Sequence, residues 1–212
     1  MSLTQKAKWL SLAMLAPLAA HATVPSSTFQ FYFEGPVFDQ VSTSPNFTSG
    51  SLSLAVTAFT SNGKQALVDS RWDGLGVVTN SLLDFGEVNS SLFDSPGDYL
   101  VLTFNKKVNL TGLRFSMWEN DYLFDSFDHA TLTSGSTKIN LGGLNNDNGL
   151  LIKSFNLSNV TGSSFVIQAT GNLSSFRLAG VNATAAVPEP STYALMGLGL
   201  IGIGLTARRR KA

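Results

Sequence analysis

The run Glu119-Asn120-Asp121-Tyr-Leu-Phe-Asp125-Ser-Phe-Asp128-His129 holds the densest set of chemically capable side chains in the sequence. Carboxylates at Glu119, Asp121, Asp125 and Asp128 are hard oxygen donors, and Ca²⁺ takes about six to eight of these from carboxylates, carbonyls and water. These four are the candidate calcium ligands, and calcium is the one cofactor the sequence suggests. The spacing is not that of an EF-hand loop, which needs acidic residues at alternate positions followed by Gly. The competing reading is a solvated loop whose aspartates cap local backbone N–H groups. Carboxylate pairs also raise polysaccharide hydrolysis, which needs two acids about 5–9 Å apart. Glu87, Glu119, Asp121 and Asp125 could be combined in several ways, and that freedom leaves no pair specified. The expectation is a non-catalytic protein.

Trp72 and Trp118 are the candidate platforms for stacking against sugar rings, since large aromatics offer flat apolar area with a polar edge. Trp118 ends a strand-like run beside the acidic cluster and is the better placed of the two, with core packing as the alternative. Cysteine is absent, and His21 and His129 are the only histidines. A disulfide framework and a thiolate metal site are therefore excluded, and a two-histidine zinc site is disfavoured because His21 falls in the leader segment expected to be removed.

The segments that must position these residues read as strands. Phe29–Phe33 and Ser51–Phe59 alternate with period two. Tyr99–Phe104, Leu113–Trp118 and Ser164–Ala169 are short and rich in β-branched or aromatic residues. Turn signals punctuate them at Ser61-Asn62-Gly63, Ser95-Pro96-Gly97-Asp98, Ser134-Gly135-Ser136 and Asn145–Gly149. Roughly nine to eleven short strands in one domain predict an all-β, jelly-roll-like sandwich over residues 23–186. Fifteen phenylalanines within a chain that is 43% hydrophobic supply its core. Only 13% of residues are charged. Between Thr23 and Val187 eight basic residues face thirteen acidic ones, a formal charge of −5. An acidic body argues against a nucleic-acid partner, which needs a basic face.

The two ends read as address labels. Residues 1–22 combine Lys6 and Lys8, an apolar stretch from Trp9 to Ala20, and the small-x-small site Ala20-His21-Ala22. This is the layout of a secretory signal peptide, cleaved after Ala22 by signal peptidase. At the other end, Val187-Pro188-Glu189-Pro190 is stiffened by its prolines. An apolar Gly/Leu stretch over residues 192–207 is near the minimum for spanning a bilayer. Arg208, Arg209, Arg210 and Lys211 then hold the C-terminus on the cytoplasmic side.

The order of these parts over residues 187–212 resembles the PEP-CTERM sorting signal of Gram-negative bacteria, a tail that also goes under the label of an ice-binding protein C-terminus. The resemblance implies a membrane-embedded processing partner, exosortase, acting near the Pro-Glu-Pro motif. It also implies transient inner-membrane anchoring, then release to the cell surface or matrix. A setting among exopolysaccharide, in biofilm or floc, follows by the same resemblance. A polysaccharide hydrolase and an adhesion or ice-binding module are the alternatives; the latter lacks any Thr-x-Thr array. Within the body, Arg71-Trp72-Asp73-Gly74-Leu75-Gly76-Val77 through Glu87, with Val108–Phe115 and Glu119–Asp121, is similar to the body of many proteins that carry such tails. There a Gly-Leu-Gly-Val turn precedes a Glu-containing strand. This likeness implies a sandwich like that of carbohydrate-binding modules.

Overall fold

The computed structural model describes residues 28–33, 40–79, 85–90, 97–121, 126–144, 151–186 and 196–200. The expected signal peptide, the Pro-Glu-Pro motif at 187–190 and the basic tail lie outside these. So does the expected 192–207 helix, except for residues 196–200, which are helical. Among the described residues no helix is long and apolar enough to cross a membrane.

The body is all-β, as expected. Its strands are β1 (Thr28–Tyr32), β2 (Gln40–Ser42), β3 (Asn46–Ser49), β4 (Leu52–Phe59), β5 (Gln65–Arg71), β6 (Gly74–Val78) and β7 (Val88–Asn89). There follow β8 (Tyr99–Ser116), β9 (Asn120–Asp121), β10 (Ser126–Phe127), β11 (His129–Ser134), β12 (Thr137–Leu141), β13 (Lys153–Thr170) and β14 (Ser175–Ala185). All pairings are antiparallel, in the order β1-β14-β6-β5-β4-β8-β13-β11-β12. A further ladder joins β14 to β8, so the path β14-β6-β5-β4-β8 returns on itself.

Period-two alternation drives the assembly, because successive side chains of a strand point to opposite faces. In β4, Leu52, Leu54, Val56 and Ala58 are buried while Ser53, Ala55, Thr57 and Phe59 are partly exposed. Leu100, Leu102 and Phe104 of β8 meet Phe165, Ile167 and Ala169 of β13 in one continuous core. Phe104 packs edge-on against both Phe31 and Phe165.

Two long strands couple the ladders. Tyr99–Phe104 of β8 pairs with β4, whereas Val108–Ser116 pairs with β14. β13 follows β8 along both halves, with register shifts between Asn156 and Val160 and between Gly162 and Ser164. Asn105, Lys106 and Lys107 are all exposed between the two halves. Where the sequence predicts separate strands at Tyr99–Phe104 and Leu113–Trp118, the structure has one. The polar triplet interrupts both the alternation and the ladder with β13, whose register passes from Gly162–Val108 to Ser164–Thr103, while the strand itself runs on.

Candidate functional site: an aromatic groove on the outer face of β14 and β8

One cross-strand row builds the floor of the site. Tyr32 of β1 pairs with Gly180 of β14, Gly180 with Arg114 of β8, and Arg114 with Ser154 of β13. The flanking residues Phe31, Phe33, Leu113, Phe115 and Val181 are buried, so alternation turns Tyr32 and Arg114 toward solvent. Gly180 leaves a gap between them. A Cβ there would lie 3.1 Å from the Phe31 carbonyl oxygen and 3.8 Å from both Arg114 and Tyr32. Adjacent strands are about 4.8 Å apart, so the tyrosine and the guanidinium stem from backbones about 10 Å apart. A register shift between Leu178 and Gly180 marks a bulge at Ala179, a device that re-aims side chains beside sites.

One wall is the hairpin tip between β5 and β6. Arg71 pairs with Gly74, leaving Trp72-Asp73 as a two-residue loop, and Trp72 is 64% exposed at its apex. Gly74 has φ 141°, and a Cβ there would lie 2.7 Å from the Leu178 carbonyl oxygen. The tip is fixed from below. Ser116 Oγ donates to the Asp73 carbonyl oxygen at 2.5 Å. Arg177 is fully buried, with Nη1 3.4 Å from the Gly74 carbonyl oxygen and Nε 3.6 Å from Asp73 Oδ1. Its Nη2 donates to Asp69 Oδ2 at 2.7 Å and to the Phe85 carbonyl oxygen at 3.1 Å. Arg71 pairs with the same Asp69 oxygen at 2.9 Å.

Met117, Leu151 and Ile152 form the opposite wall. Met117 and Leu151 both have positive φ, at 56° and 52°. They are held by Trp118, whose backbone N–H donates to the Leu151 carbonyl oxygen at 2.9 Å and whose indole N–H donates to the Gly143 carbonyl oxygen at 3.1 Å. The enclosed groove measures about 670 Å³.

The two tryptophans thus part company. Trp72 stands on the groove rim. Trp118 is fully buried against Phe115, Phe155 and Phe176, its ring centroid 5.2–5.4 Å from theirs, and offers no open face. Its expected stacking role is corrected to a supporting one: alternation and a buried indole partner place it in the core. The Gly74–Val77 segment, expected as a turn, is strand β6. It is buried because β5 and β14 flank it.

The acidic cluster is described only in part. Asp125 and the side chain of Asp121 lie outside the described residues. Glu119 is exposed, and Asp128 is 5% exposed. Asp128 Oδ2 accepts the Glu119 N–H at 2.6 Å and Oδ1 accepts the Ser175 N–H at 2.8 Å. This is the backbone-capping role that the sequence sets against calcium ligation. Burial, with the charges of Glu119 and Glu87, pushes the Asp128 carboxyl up to about 7 against these two bonds. Glu87 Oε2 accepts the Ser175 hydroxyl at 2.7 Å. Among the described residues no group of three or more His, Cys, Asp or Glu side chains could hold a metal ion.

Sequence reasoning missed Tyr32, Arg114 and Gly180, because a row assembled from three strands has no local signature. Arg177 carried a signal that was passed over: a lone charge inside the apolar run Phe176-Arg177-Leu178.

No curated protein matches the chain. Residues 186–211 match the family model of the PEP-CTERM protein-sorting motif. The motif found by its parts in the sequence is therefore present, and the chain is an exported protein that carries a PEP-CTERM signal for sorting by exosortase.

Proposed function

We propose that the exported body is a non-catalytic, carbohydrate-binding module that associates with extracellular polysaccharide at the cell surface or in the matrix. The body, on this reading, is a jelly-roll-like sandwich in which β8 and β13 pass from one layer to the other. The observation that carries it is the pair of exposed rings, Trp72 at 64% and Tyr32 at 55%, that line one groove together with Phe33, Arg114 and Ala179. Exposed aromatic rings beside an open groove suit the apolar faces of pyranose rings, and rigid aromatics bind at little entropic cost. No pair of free carboxylates lines the groove: Asp73 is its one acid among the described lining residues, and that side chain faces Arg177.

The test is affinity electrophoresis of residues 23–186 in gels containing neutral or acidic polysaccharides. At least one should retard the protein. Trp72→Ala and Tyr32→Ala should each weaken binding about tenfold, the scale of one lost ring contact. Unretarded migration in every gel, or retardation unaffected by both replacements, rules the groove out as a glycan site.

A further inference from the structure

We infer that the groove selects acidic glycans, with Arg114 pairing with a uronate carboxylate while Trp72 and Tyr32 hold the sugar rings; this rests on the carbohydrate reading above. Three arginines fall among the described residues, and two are committed. Arg177 and Arg71 both pair with Asp69, at 2.7 and 2.9 Å. Arg114 is exposed and has no carboxylate or hydrogen-bond partner for its guanidinium among the described residues. Among the described lining residues it is the one cation, and its register fixes its place. Tyr32 and Arg114 flank β14 on either side of Gly180 and line the same groove, so a sugar held against the tyrosine would present its substituents to the guanidinium. Among the described lining residues the only acid is Asp73, which is 13% exposed and directed to Arg177. A planar guanidinium takes a carboxylate through two parallel N–H···O bonds, which a neutral hydroxymethyl group cannot match. The body's formal charge of −5 gives no general attraction for polyanions. Preference for an acidic glycan must then come from this local contact.

Oligogalacturonate and its fully methyl-esterified form share a backbone and differ in charge. Titrated calorimetrically into residues 23–186, the acid should bind about tenfold more tightly than the ester. Arg114→Gln should bring the acid's affinity down to that of the ester, with the unfolding midpoint unchanged. Arg114→Lys should keep part of it. Equal binding of acid and ester by the unaltered protein overturns the selectivity and leaves the carbohydrate reading standing. Binding of neither form, together with unretarded migration in every polysaccharide gel, overturns both. Polyglutamate bound as tightly as oligogalacturonate would mean a general anion site and also overturns the inference.

Discussion

Trp72 and Trp118 show how a residue's role is decided by its place in the pleat. Both are large aromatics near polar loops, and composition does not separate them. Trp72 occupies a two-residue hairpin tip, where no neighbouring strand can cover it. Trp118 follows the end of β8, and its indole N–H finds the Gly143 carbonyl, which is what a buried tryptophan needs. Asp128 was legible as acidic but not as buried, because its two N–H partners come from Glu119 and Ser175, the latter distant in sequence. Its raised pKa has a thermodynamic consequence. Between the ordinary value of 3.8 and about 7 the folded state holds a proton that the unfolded chain has released. Stability should therefore fall as pH rises from about 4 to about 7, by at most about 1.4 kcal/mol per unit, and then level off. Urea midpoints across this range check it, and Asp128→Asn should flatten that part of the profile. A midpoint that rises with pH over the same range in the unaltered protein, and not in Asp128→Asn, would contradict the assignment.

At the scale of elements, the alternating runs β1 and β4 were readable because each buries one face along its whole length. The long strands β8 and β13 were not. Exposed Asn105, Lys106 and Lys107 look like a turn, and beyond Thr111 the buried phase of β8 switches from even to odd positions. A one-residue slip of this kind is the mark of a bulge, and a period-two pattern read locally splits there. The hairpin β5–β6 depends on a device that spacing could not reveal. Gly76 lies where a Cβ would be 1.7 Å from the Gly86 carbonyl oxygen, and Gly86 leaves room for Asp69. These glycines let the 85–87 segment close over the Asp69–Arg177 pair. Arg177→Met should cost about 3–5 kcal/mol, because Asp69 stays buried with half its neutralising charge removed. The double replacement Arg177→Met with Asp69→Leu should cost less than the sum of the two singles, measured by chemical unfolding. Additive losses would mean that the pair does not act as a unit.

For the whole molecule, the decisive feature is where the body begins and ends. Thr28 pairs with Thr184, so β1 starts beside the end of β14 on one edge of the fold. The segment expected as a signal peptide and the sorting motif therefore flank the body at neighbouring points. The core residues from Phe31 to Ala183 lie between those points. Sorting and folding should consequently be separable. Replacing Pro188, Glu189 and Pro190 together by alanine removes the stiff, extended segment ahead of the apolar stretch. In the native host this variant should retain its tail, giving an intact mass higher than that of the processed protein by the weight of the uncleaved segment. It should fractionate with the inner membrane. Its body should still resist proteolysis and still migrate like the unaltered protein in polysaccharide gels, because every ladder among the described residues lies at or before Ala185. Normal processing of the triple variant would remove the Pro-Glu-Pro motif from exosortase recognition. A protease-sensitive body in the retained form would instead tie folding to release, and the closure of β1 against β14 would then have to be completed only after export.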